Sequence, residues 1–246
     1  MKTLASFAAV AVLAATAASA QTPANITAAL ADPARPAADT ARDAARKPGE
    51  LLAFTGVKSG DKVVDLIMGG GYFTRILSPA VGPAGQVYAY QPAEFVAFSA
   101  DYGKALKDVA AADPNVTPIG SAFAAFDLPD GLDLVFTVQN YHDLHLKPFP
   151  ADTAAKVNAE VFKSLNSGGV YLIVDHEAKA GTGIADADTL HRIDIAAVKQ
   201  EVEAAGFKLE AESQLLDMPS DPRTANVFDP AIRGKTDQFI LKFRKP

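Results

Sequence analysis

The stretch Val63-Val64-Asp65-Leu66-Ile67-Met68-Gly69-Gly70-Gly71-Tyr72-Phe73-Thr74 decides how this 246-residue chain is read. A β-branched run over residues 62–67 predicts a buried strand with an acid near its end. Three glycines follow, then a helical pattern over residues 72–81 with Phe73, Ile76, Leu77 and Ala80 on one face. Glycines in such a turn let backbone amides approach a ligand closely, and the helix N-terminus favours polar or negative groups. In an open α/β sheet, the first strand-to-helix turn lies at the switch point where ligands bind. A purely structural tight turn is the competing reading of a lone glycine run.

The same alternation continues along the chain. Strands are predicted at residues 86–90, 116–119, 132–138 and 170–175, with helices at 95–111, 153–165 and 195–205 between or after them. Two further strands, at 208–216 and 237–243, have no helical pattern between them, only a Pro-, Asp- and Gly-bearing loop over 220–235. Helical crossovers imply a doubly wound, mostly parallel α/β sheet. Seven strands result, the last two closing as an antiparallel hairpin. Upstream, residues 21–48 read as a loose N-terminal arm with a short helix at 39–46, and the main domain spans 49–246.

The first twenty residues carry a different signal. Lys2 precedes an apolar run over residues 7–18, and Ala18-Ser19-Ala20 forms a small-x-small cleavage site before Gln21. This pattern predicts a secretory leader cleaved after Ala20 and a periplasmic or secreted mature protein. No cysteine is present, which excludes disulfides and thiolate metal sites. The net charge of −6, without a Lys/Arg cluster, disfavours nucleic acid and anionic membranes and favours a small-molecule partner. Nothing in the sequence sets the oligomeric state.

The glycine turn, the seven-strand order and Leu128-Pro129-Asp130-Gly131-Leu132-Asp133 ahead of strand four resemble the class I S-adenosylmethionine-dependent methyltransferases over about residues 50–244. More narrowly, Tyr141-His142-Asp143-Leu144, Asp175-His176, Thr189-Leu190-His191-Arg192-Ile193-Asp194 and Phe239-Ile240-Leu241-Lys242-Phe243 resemble a group of bacterial methyltransferases, often exported. The resemblance implies a Rossmann-like methyltransferase fold and S-adenosylmethionine as cofactor. It places Asp65, Gly69, Gly70, Gly71 and Tyr72 at the cofactor's amino-acid part. Gln91, Ser121 and Asn140 take other cofactor-side positions. The chain departs from the family pattern at three places. Ile67 stands where the family has a glycine, Gln91 replaces the acid that grips the ribose hydroxyls, and Ser121 replaces an acid near the adenine. A glutamine supplies one neutral hydrogen bond where a carboxylate makes charge-assisted ones about twice as strong.

All four histidines fall in the second half of the chain. His142 with Asp143 follows strand four, and Asp175 with His176 follows strand five, both at the carboxyl edge of the sheet. Histidine suits general base catalysis near neutral pH, so His142, Asp143 and His176 are the candidate catalytic residues. A metal held by His142, His145, Asp175 and His176 is chemically possible, but the acid-base reading is preferred and no metal is assigned. His145 and His191 read as surface or loop-packing residues. Tyr72 and Tyr141 are either flat walls of a ligand site or core. Asp194 reads as a helix cap, and Glu201 as part of a solvated face. The function that follows is methyl transfer to a small acceptor. The rivals are a non-catalytic extracytoplasmic binding protein on the same scaffold and a metal-dependent hydrolase.

Overall fold

The computed structural model describes residues 22–246, so the leader and its cleavage site lie outside the described residues. Its strands are β1 (Lys62–Leu66), β2 (Gln86–Tyr90), β3 (Val116–Ile119), β4 (Leu132–Val138), β5 (Leu165–His176), β6 (Lys208–Ser213) and β7 (Gln238–Arg244). They form one seven-stranded sheet in the order β3-β2-β1-β4-β5-β7-β6. Strands β1 to β5 pair in parallel, and β7 runs antiparallel between β5 and β6. This is the doubly wound sheet with a closing antiparallel hairpin that the pattern predicts. The order reverses between β1 and β4, so their carboxyl ends open on one crevice.

Alternation along the strands builds a core on each face. Val63, Leu134, Leu172 and Val174 meet Leu51 and Leu52 of α4 (Pro48–Thr55) and Ile76 and Leu77 of α5 (Thr74–Val81). Val64, Val135, Tyr171 and Ile173 meet Val157 and Val161 of α8 (Thr153–Ser164) and Val198 and Val202 of α10 (Ile195–Ala204). Each such side chain contributes about 1.5–3 kcal/mol on burial. Burial on both faces is why the central strands read as unbroken apolar runs.

Three expectations need correction. Residues 22–48 are not a loose arm. Ile26 and Ala29 of α1 (Ala24–Leu30) are buried in the first core, and Asn25 Nδ2 donates to Ala80 O at 3.0 Å. Their apolar stripe was hidden in an alanine-rich background. The single helix expected at 39–46 is two short pieces, α2 (Ala37–Thr40) and α3 (Asp43–Arg46). Likewise, the helix expected at 95–111 is broken into α6 (Ala93–Phe98) and α7 (Ala100–Ala112). Ser99 between them is extended and its side chain accepts from Asp101 N, a cap that starts a new helix.

The loop between β6 and β7 is tied down rather than free. Arg192, fully buried, pairs with Asp221 at 2.8 Å and donates to the carbonyls of Ala225 and Glu177. Arg223 joins Asp237 and Glu177. These contacts fold the loop back over the carboxyl end of β5 and the amino end of β7. Among the described residues, no helix is long and apolar enough to cross a membrane.

Candidate active site

After β1 the chain turns sharply. Ile67 (φ 61°), Gly69 (φ 58°) and Gly71 (φ 82°) are all in the left-handed region. A Cβ on Gly69 or Gly70 would meet nothing within 4 Å, whereas one on Gly71 would lie 2.6 Å from Val109 Cγ1. Gly69 and Gly70 therefore present an open face, and Gly71 is required for packing against α7. Asp65 accepts from Thr74 Oγ1 at 2.6 Å and braces the start of α5. Burial pushes its carboxyl up to about 6, in spite of that hydrogen bond and the nearby Arg46.

Gln91 follows β2 fully buried, and its Oε1 accepts from Gly69 N at 2.9 Å. Its Nε2 has no partner among the described residues, and neither does the buried Oγ of Ser121 after β3. The Ser121 carbonyl is used internally, accepting from Tyr90 Oη at 3.0 Å. Gln91 thus brings one orphaned polar atom to the glycine turn, and the other, Ser121 Oγ, lies after β3, the strand next to β2.

The N-terminal segment roofs this turn. Tyr72 Oη donates to Asp43 at 2.6 Å, Asp43 takes a paired contact from Arg35, and Arg75 reaches Asp39. The Arg35 hydrogen bonds hold the Asp43 carboxyl below the usual range. Arg46 lies over the rings of Tyr72 and Phe73 at 4.6 and 5.2 Å. It donates to Gln139 Oε1 at 3.2 Å, and no carboxylate pairs with it among the described residues. Burial and the neighbouring Arg42 guanidinium pull its pKa down.

At the ends of β4 and β5 the histidines gather. The 3-10 turn His142–His145 carries His142 against Asp175, whose carboxylate accepts from His142 Nδ1 at 2.8 Å and His142 N at 2.7 Å. His142 Nε2 lies 3.2 Å from His191 Nδ1 and 3.3 Å from Asp143 Oδ1. Burial draws the His142 pKa down, but Asp175 and Asp143 outweigh it and raise the group to about 10. Asp175 is held low chiefly by His142, against the opposing effect of its own burial. His176 accepts or donates at Nδ1 with Thr236 Oγ1 at 2.8 Å, and burial lowers it to about 4.

His176 also lines a cavity of about 310 Å³ between the arm, β4, β5 and the β6–β7 loop. Arg42, Arg46, Phe73, Gln139 and Phe228 contribute walls, with Arg233 at the loop side and no acidic side chain in the lining.

Several sequence expectations shift here. His191 packs on the β6–β7 loop through Phe228, and beyond that reading it also touches His142. An isolated bridge outside the main strands, Glu177 to Ile193, draws its segment onto the end of β5. No periodicity marks such a contact, so the residue spacing gave no signal for it. His145 turns away to Glu201 Oε2 at 3.1 Å, which breaks the four-residue metal set. Glu201 also accepts from Tyr141 Oη, so it is not a solvated face, and Tyr141 is fully buried core. Asn140 donates to Asp143 Oδ2 at 2.9 Å. Asp194 caps α10 as expected. No local pattern marks Arg46, Thr236, Phe228 and Arg233, which the arm and the β6–β7 loop deliver.

No protein-family model matches the chain, and no curated protein does. Solved structures do. A S-adenosylmethionine-dependent methyltransferase of Aquifex aeolicus aligns with TM-score 0.58 and 19% identity over 83% of this chain and 98% of that one. Fibrillarin of Aeropyrum pernix, solved with natively bound S-adenosylmethionine, gives TM-score 0.52 and 17% identity over 82% and 76%. The cyclase SpnF gives 0.56 and 18% over 85% and 82%. At these identities the likeness is one of fold, the Rossmann-like fold of class I methyltransferases. A cyclase among the similar structures illustrates that fold alone does not fix chemistry.

Proposed function

We propose that this protein transfers the methyl group of S-adenosylmethionine to a small acceptor, outside the cytoplasm. The observation that carries the reading is the orphaned, buried Gln91 Nε2 beside a glycine turn with an open face, together with the orphaned Ser121 Oγ after the neighbouring β3. A buried polar atom left without a partner costs about 1–3 kcal/mol, and such atoms call for an explanation such as a bound group. Ribose hydroxyls and an adenine ring carry complementary donors and acceptors. The residues fit the cofactor, and the similar solved structures include methyltransferases.

Gln91 would donate to the ribose, Ser121 would meet the adenine side, and the open backbone face of Gly70 would line the amino-acid part. When bound, the cofactor supplies an electrophilic methyl on sulfur. The protein's own work is alignment, which lowers the barrier through lost freedom already accounted for on binding. His176 is the base that faces the cavity. In the tautomer whose Nδ1 donates to Thr236, Nε2 holds a free lone pair for a proton from an acceptor hydroxyl or amine. His142 does not line the cavity, and its nitrogens face Asp175, Asp143 and His191. The acid-free lining with Arg42, Arg46 and Arg233 favours a carboxylate, phosphate or carbonyl oxygen on the ligand. Phe228, about half exposed, forms one wall of this space.

The test is calorimetric titration of the mature protein with S-adenosylmethionine and S-adenosylhomocysteine, beside labelled-methyl transfer to small phenols and amines bearing carboxylates. Gln91→Leu should weaken cofactor binding about tenfold, as expected for one lost hydrogen bond of 1–2 kcal/mol. Absence of cofactor binding by the intact protein overturns the proposal. Binding without transfer to any acceptor favours the binding-protein alternative.

A further inference from the structure

We propose that His142 Nε2, His191 Nδ1 and an Asp143 carboxylate oxygen form a three-donor site for a divalent transition metal ion of the zinc type. The three donors are 3.2, 3.3 and 3.9 Å apart. A tetrahedral ion bound at about 2.0–2.1 Å separates its ligands by roughly 3.3–3.4 Å. The three atoms therefore already stand close to one face of that tetrahedron. Two imidazoles and a carboxylate, with no thiolate in the chain, suit zinc and its neighbours rather than soft copper(I) or hard magnesium.

The surroundings orient each donor. Asp175 accepts from His142 Nδ1 at 2.8 Å, which turns the Nε2 lone pair outward in the carboxylate–histidine–metal manner. Asn140 Nδ2 holds Asp143 Oδ2 at 2.9 Å and leaves Oδ1 toward the two rings. Val227 N donates to Leu190 O at 3.1 Å beside His191, whose backbone is left-handed at φ 54°. Asp143 and Asp175 surround His142 with negative charge, a field that favours a cation. The competing arrangement is a His142 imidazolium held between Asp175 and Asp143, which needs no ion, and zinc stoichiometry tells the two apart.

The exposed side of the site is at His191, a quarter exposed, whose ring meets Phe228 edge-on at 4.9 Å, one wall of the cavity. Water or an acceptor oxygen reaching His191 from that side could complete the coordination of a bound ion. Three protein ligands plus an open position is the form taken by catalytic rather than structural zinc. The site does not depend on methyl transfer, and metal binding can succeed or fail independently of that reading.

The experiment uses untagged mature protein, stripped with chelator and dialysed against zinc, with bound metal counted by elemental analysis. One equivalent is expected. His191→Gln and Asp143→Asn should lose it, Asp175→Asn should weaken it about 10- to 100-fold, and His145→Gln should leave it unchanged. X-ray absorption on the unmutated protein should show two imidazole nitrogens and one carboxylate oxygen at about 2.0–2.1 Å. That spectrum keeps the proposal testable if a ligand variant fails to fold. Absence of stoichiometric zinc, or zinc retained undiminished in folded His191→Gln and Asp143→Asn, overturns it.

Discussion

Replacing Arg192 with Met tests whether the buried ion pair holds the β6–β7 loop over the cavity. Both partners are completely buried, and the guanidinium also donates to two backbone carbonyls. Removing one member of a buried pair costs about 3–5 kcal/mol, because the other is left as an uncompensated charge. Asp221 keeps two other donors, the amides of Arg223 at 3.0 Å and Asp237 at 2.7 Å. The loss should therefore sit near the lower end, about 3 kcal/mol, or a fall in Tm of roughly 6–12 °C for a chain of this size. Adding Asp221→Asn neutralises the stranded charge and keeps one oxygen for those amides. The double variant should regain about 1–2 kcal/mol, a coupling typical of contacting residues. Urea denaturation of the unmutated, single and double proteins measures all three values. The reasoning is refuted if Arg192→Met costs less than about 1 kcal/mol, or if the double variant is less stable than the single.

Gly70→Val should fold normally, since its Cβ meets open space, yet abolish cofactor binding; unchanged affinity by calorimetry would make the turn merely structural. His176→Asn should lower methyl transfer about 100- to 10,000-fold with cofactor affinity nearly intact. In the unmutated protein, turnover should rise through about pH 4 and be flat at neutrality, because a base works once deprotonated and burial holds His176 at about 4. The same depressed pKa gives His176 a stability contribution present above about 6.5 and lost as pH falls through about 4. Denaturation of His176→Asn should show a weaker acid dependence across that window. For export, the intact mass of protein recovered outside the cytoplasm should begin at Gln21, and a cytosolic protein retaining Met1 would contradict it.

The fold was legible because its signals are local. β-branched runs, a glycine turn and helical stripes of Ile76, Leu77, Val157 and Val161 each announce themselves within a few residues. Even the closing hairpin followed from a loop where a helix should have been. The candidate site was half legible for the same reason. His142 and His176 sit at strand ends, where topology alone brings them to the crevice. His191, Arg46, Thr236 and Phe228 arrive through loops whose path is set by tertiary contacts. The Arg192–Asp221 pair and the Glu177–Ile193 bridge have no period in the sequence. The arm failed for a third reason. Alanine fits a solvated helix and a packed one equally well, so only Ile26 and Leu30 marked the buried side of α1.

Backbone strain points to the same edge of the sheet. Among the described residues, the non-glycine positions in the left-handed region are Lys47, Ile67, Gln139, His191 and Arg223. Such a conformation costs an L residue about 1–2 kcal/mol, and it persists only where the surroundings hold it. These five are not scattered. Ile67 follows β1 and Gln139 follows β4, at the two strand ends where the sheet order reverses. Lys47 closes the segment that lays Arg46 over the glycine turn, Arg223 fastens the loop beside Asp237, and His191 aims a ring nitrogen at His142. Ile67 is the most telling, since a β-branched residue is the least suited to φ 61°. Its side chain is buried in the second core, a gain of about 1.5–3 kcal/mol that offsets the strain. The turn therefore keeps a glycine-like backbone without the glycine, and its open face is set by the packing beneath it. Substitution at that position is no argument against a ligand above it, so the stronger evidence on the cofactor lies in Gln91 and Ser121.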